Sequence, residues 1–100
     1  MQVRIFGRAR RDIATAVAWW RANRPFALSR LEDELAASLR RLEELPFVGP
    51  PATDVRLAGF RRLSLFETRY FIYYRVNETR GRVEVLRLWH MSRHRPPALR

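Results

Sequence analysis

The residue best equipped for chemistry in this chain is His90. It ends the run Arg82 to His90, and arginines stand at 61, 62, 69, 75, 87 and 93 around it. Cleavage of RNA by attack of a 2′-hydroxyl needs a base, an acid and cations on the phosphate. The imidazole could supply base or acid, and the guanidiniums the cations. Little else supports catalysis: there is no carboxylate pair, no Ser/His/Asp set and no phosphate-cradling glycine loop. A single histidine at a strand end is more often structural or partner-contacting than catalytic. Cysteine is absent, which excludes disulfides and thiolate metal sites. The two histidines, His90 and His94, are too few and too local for a His-built site, so neither a metal nor a cofactor is expected.

The other chemistry on offer is binding. Twenty basic residues, all arginine, face ten acids, for a net charge of +10. Residues 51–100 hold 11 Arg and 4 acids, against 9 Arg and 6 acids in residues 1–50, so the excess lies toward the C-terminal half. Such a field draws nucleic acid, an acidic protein or an anionic surface. Arginine beside exposed aromatics grips single strands, guanidinium to phosphate and ring to base. The face to carry this would show Arg62, Ser64, Phe71, Tyr73 and Arg75, with Trp89 and His90 at the end of the last strand. In the competing reading the arginines solvate the sheet and the rings fill the core. A one-residue slip in register exchanges the two faces.

These residues need a frame to position them. Phe60 to His90 holds three apolar runs rich in β-branched and aromatic residues, split by short polar breaks, which predicts an antiparallel meander. In the middle run Tyr70, Ile72, Tyr74 and Val76 share one face, and Phe71, Tyr73 and Arg75 the other. Asn77 to Gly81 is a hairpin loop. Arg82 to His90 is apolar on both faces and belongs in the middle of the sheet. Gln2 to Phe6 reads as an edge strand ended by Gly7.

Ala9 to Ala22 reads as a helix with Ile13, Ala16, Val17 and Trp20 on one stripe, and Trp19 about 100° off it. Pro25 starts a second helix, Phe26 to Leu45, striped by Leu28, Leu31, Leu35, Leu39 and Leu42. Residues 46–59 form a long irregular loop, and residues 91–100 a basic tail, partly disordered. The chain is thus a single domain, 1–100, of order β-α-α-β-β-β. It is an α+β fold with a helical hairpin on one face of a mostly antiparallel four-stranded sheet. With no long apolar run and no signal-peptide core, a soluble cytoplasmic protein is expected.

Several short patterns recur in fixed order. Asp12-Ile13 opens the first helix, and Leu-x-x-Leu-Pro-x-x-Gly closes the second (Leu42 to Gly49). Gly59-Phe60-Arg61 opens the second strand. Aromatic-x-Ile-x-Tyr-x-Val (Tyr70 to Val76) forms the third, and Arg-Leu-x-His-x-x-Arg (Arg87 to Arg93) ends the fourth. Over essentially all 100 residues this resembles the RelE/ParE superfamily of toxins from type II toxin–antitoxin systems. RelE-like members are ribosome-dependent mRNA endonucleases; ParE-like members poison DNA gyrase and are not enzymes. The ribonuclease branch usually has Arg after the first aromatic of the third strand and a late Tyr. Here those places hold Phe71 and, near the end, Leu99, while the Arg of the strand-to-tail turn is kept as Arg93.

The resemblance is therefore closer to the ParE branch, and implies a gyrase-binding surface from Arg61, Arg62, Arg75, Trp89, His90, Arg93 and Arg95. It also implies a cognate antitoxin, covering Trp19, Trp20, Leu31 and Leu35. The alternative is a ribonuclease acting on ribosome-bound mRNA through His90, Arg61 and Arg93. A third reading keeps the scaffold as a non-toxic nucleic-acid-binding domain.

Overall fold

The computed structural model describes residues 1–99. Its four strands are β1 (Gln2–Ile5), β2 (Phe60–Leu65), β3 (Tyr70–Asn77) and β4 (Arg82–His90), and its two helices are α1 (Gly7–Asn23) and α2 (Leu28–Glu44). The sheet order is β1-β4-β3-β2, so β4 lies inside the sheet, as its two-faced apolar pattern requires. β1 is an edge strand, parallel to β4; the other pairings are antiparallel. Between the pairs Tyr73↔Arg87 and Tyr74↔Val85 the register shifts, leaving Leu86 as an extra residue.

Both helices lie on one face. Ala9, Ala16, Leu31 and Leu42 join Leu63, Leu65, Tyr70, Ile72, Tyr74, Val83, Val85 and Leu88 in the main core, with Ile13, Val17, Trp20, Leu35 and Leu39 packed against it. Two boundaries differ from expectation. Gly7 begins α1 rather than separating it from β1: Phe6 caps the helix and its carbonyl accepts from Arg10 N–H. Pro25 starts a 3₁₀ turn, Pro25–Ala27, before α2, so Phe26 is not on the helix and is 98% exposed. Among the described residues no helix is long and apolar enough to cross a membrane.

The face away from the helices was expected to be open, and it is not. Ala52, Phe60, Tyr73 and Leu86 form a second buried cluster there, with Phe6, Val55, Phe71, Trp89 and Leu99 packed around it. The loop is tied to β2 by Ala52 N–H to Phe60 O and Arg62 N–H to Pro50 O, and Asp54 accepts from the Tyr73 hydroxyl. Tyr73 is consequently only 1% exposed, and burial, with the Asp54 carboxylate beside it, pushes its phenol up to about 12. The tail is ordered as well. Trp89 Nε1 donates to Arg95 O, Arg87 Nη1 donates to Ala98 O, and Pro97 is buried. Its prolines restrict the chain and Leu99 gives it an apolar anchor on the second cluster, which together offset the ordering entropy. Arg100 lies outside the described residues.

One charge is fully buried on this face. Glu84 accepts from Arg75 Nε (2.6 Å), Arg82 Nε (2.7 Å) and Asn77 Nδ2 (3.4 Å). Burial acts to raise its carboxyl, but the hydrogen bonds from Arg75 and Arg82 outweigh it and hold the group below the ordinary 4.5. The unfolded chain then takes up this proton at a higher pH than the folded one, so acid favours unfolding. The expected result is a urea midpoint that Glu84 leaves flat above ~pH 5 and lowers as pH falls through 4.5 and beyond. Glu84→Gln should remove part of that slope in a pH series of urea melts.

Candidate functional site

Beyond Val85 the edge of β4 has lost β1, and α1 runs past it instead. The gap is a cleft of about 760 Å³. Asp12, Thr15, Ala16, Trp19 and Trp20 of α1 form one wall; Tyr70, Leu88 and His90 form the other; the turn at 67–69 and residues 92–93 close the ends. The wall is braced at two points. Asp12 accepts from Arg87 Nε (2.7 Å), Arg87 Nη2 (3.1 Å) and Leu88 N–H (3.1 Å), and so takes the place of the missing strand. Trp20 Nε1 donates to Tyr70 Oη at 3.0 Å.

His90 packs its ring edge-to-face with Tyr70, centroids 4.9 Å apart. Ser92 N–H donates to its Nδ1 (3.1 Å) and Ser92 Oγ lies 2.7 Å away, which leaves Nε2 as the protonated nitrogen. Burial, with the charges of Arg69 and Arg93, depresses its pKa below the ordinary 6.5, so the ring is neutral at pH 7. Arg93 shares the cleft with it. Arg61 does not: it pairs with Tyr74, four residues along β3 from Tyr70 and so ~13 Å away. Its Nη1 is bound to the carbonyls of Phe47 (3.2 Å) and Gly49 (2.7 Å). The set His90, Arg61 and Arg93 is therefore not assembled.

The remaining expected contact residues divide between sites. On the second face Arg62 lies 4.1 Å over Phe71 and pairs with Asp54 (3.1 Å), and Arg93 lies 3.9 Å over Trp89, with Arg87 at 4.8 Å. This is the arginine-on-aromatic surface the sequence suggests, although Phe71 and Trp89 are half-buried beneath their cations. Arg75 is at the far end and bound to Glu84. Arg95 contributes its carbonyl to Trp89. On the hairpin, Trp19 is 51% exposed, and Trp20 and Leu35 are half-buried. Leu31 has no exposed surface: it sits at the centre of the α2 stripe, inside the core, and drops out of any partner surface.

Sequence reasoning missed the role of Glu34, and it offered Arg69 as a cation without its left-handed backbone. Glu34 accepts from the backbone N–H of Glu67 and Thr68 and from Thr68 Oγ1, pinning the turn between β2 and β3 to α2. No pattern marks it, since an acid on a wet helix face is unremarkable until the turn arrives.

A helical hairpin on one face of this mixed sheet, in the order β-α-α-β-β-β, is the RelE/ParE-like architecture. A family model described as "ParE toxin of type II toxin-antitoxin system, parDE" matches residues 3–95, and the chain belongs to that family. A solved structure titled "Chromosomal ParDE TA system from P. aeruginosa" is similar to it with a TM-score of 0.75 and 15% identity, over 92% of this chain and 97% of that one. At that identity the likeness is one of fold. No curated protein matches the chain.

Proposed function

We propose that this ParE toxin arrests growth in the cytoplasm by binding DNA gyrase rather than by cutting RNA, and that a cognate antitoxin neutralises it. The observation that carries the reading is the separation of Arg61 from His90 and Arg93, with Arg61 committed to loop carbonyls. A ribonuclease would need these groups around one phosphate. The arginines stacked over Phe71 and Trp89 suit docking instead. The expected result is inhibited supercoiling and accumulated cleavage complexes when micromolar protein meets purified gyrase. After induction, transcripts should stay intact and His90→Ala should arrest growth as the parent does. Unaffected gyrase, or mRNA loss that His90→Ala abolishes, counts against it.

The antitoxin segment is expected to be acidic and amphipathic, folding as it covers Trp19 and Leu35. Binding should raise the melting temperature by mass action, by about 2.7 kcal/mol of stability at a hundredfold excess over Kd. Trp19→Ala should weaken the complex by more than tenfold in a calorimetric titration, as loss of a tryptophan anchor of about 2 kcal/mol does. Equal affinity for the parent and variant chains would remove Trp19 from the interface.

A further inference from the structure

We propose that the cleft between α1 and the end of β4 binds a nucleoside phosphate, its base on Trp19 and its phosphate between Arg69 and Arg93. The proposal does not depend on whether gyrase is the target.

The first ground is the backbone of Arg69. Its φ is +69°, in the left-handed region that is strained for an L-residue and nearly free for glycine. The turn is not free to relax. Glu34 grips Glu67 and Thr68, Arg69 N–H donates to Leu65 O, and Arg69 O accepts from Met91 N–H. A position that favours glycine carries instead a long cation on the cleft wall. Strain of this kind persists where the side chain has a task.

The second ground is the imbalance of charge. Arg24, Arg69, Arg87 and Arg93 line the cleft, against Asp12 and Glu67. Asp12 is occupied by Arg87 and Leu88. Among the described residues Arg69 and Arg93 have no carboxylate partner, and Arg93, which also lies 3.9 Å over Trp89, can meet a phosphate without giving up an ion pair. His90 faces the site with Nε2 as a donor, because Nδ1 is taken by Ser92. Two guanidiniums and an imidazole N–H are a phosphate's complement.

The third ground is the ring at the mouth. Trp19 is half-exposed and stands edge-on to Trp20 at 6.2 Å, and Trp20 is fixed by Tyr70. A base gains affinity by stacking on such a ring, whatever its sequence identity. A volume of about 760 Å³ is ample for one nucleotide.

The test is titration of the whole protein at physiological salt, ~0.15 M, where the diffuse field of a basic chain is screened. The probes are adenosine 5′-monophosphate, adenosine, inorganic phosphate and a 5′-phosphorylated thymidine pentamer, followed by tryptophan fluorescence and by NMR of the histidine rings. The monophosphate should saturate and bind more than tenfold tighter than adenosine or phosphate. It should raise the titration midpoint of His90. Tighter binding of the pentamer identifies a strand end as the ligand; tighter binding of the monophosphate identifies the free nucleotide. Arg69→Gly should raise the melting temperature, by relief of strain, yet lose about tenfold or more in affinity with the charge-assisted bond. Trp19→Ala should lose the monophosphate's advantage over phosphate. Non-saturable binding, a monophosphate no better than phosphate, or Arg69→Gly binding as tightly as the parent would each overturn the proposal.

Discussion

Gly49→Ala is expected to destabilise the protein by about 3 kcal/mol, on the order of 15 °C in melting temperature for a domain this size. A Cβ at this position would stand 2.8 Å from both Cε1 and Oη of Tyr74 and 3.2 Å from the backbone carbon of Arg62. None of these can yield cheaply. Tyr74 is fully buried in the core, and its hydroxyl accepts from Gly49 N–H at 2.8 Å. Arg62 is mid-strand, and its own N–H is held by Pro50 O. The substitution therefore overpacks the core and displaces a buried hydrogen bond together. Tyr74→Phe removes that bond alone and should cost about 1–2 kcal/mol. The double variant should lose less than the two single costs combined, because both break the same contact. Thermal melts of the three variants check this, and a Gly49→Ala protein melting within a few degrees of the parent would refute the packing argument.

Asp12→Ala should cost a similar amount, about 3 kcal/mol, by a different route. Its carboxylate joins α1 to the free edge of β4 by three polar contacts. Deleting it leaves a largely buried guanidinium, Arg87, without its bidentate partner, and Leu88 N–H without an acceptor. Arg87→Leu should be milder, since it removes the charge along with its need for a partner and leaves Asp12 bonded to Leu88. Urea melts should rank Asp12→Ala below Arg87→Leu, and the reverse order would show that the arginine's packing on Trp89 matters more than the pair.

The frame was legible in the sequence because periodicity encodes it. Tyr70, Ile72, Tyr74 and Val76 lie toward the helices and Phe71, Tyr73 and Arg75 away from them, and β4 is interior for the reason its composition implies. What escaped reading is what periodicity does not carry. The loop at 46–59 and the tail have no repeat, yet they close the second face through single contacts such as Asp54 to Tyr73 and Arg95 O to Trp89. Arg61 stands in a recognisable motif, but the carbonyls that occupy it belong to a loop 12 and 14 residues away. The leucine stripe of α2 was right as a stripe, and by the same token Leu31 was wrong as a contact residue. Arg69 was legible as a cation near His90 but not as a left-handed residue, since such a turn is announced by glycine or asparagine and here neither is present.

The parallel pairing of β1 with β4 has a consequence for synthesis. Val3 pairs with Val83, so β1 waits eighty residues for its ladder partner. On the ribosome the helices can form early from local contacts, but the interior strand of the sheet is made after both helices and the other three strands. A nascent chain arrested before β4 leaves β1 with an unmatched backbone and α1 with no strand to brace against. The cleft beside α1 has both of its walls only once β4 has been made, and a product cut short before that point is expected to lack it.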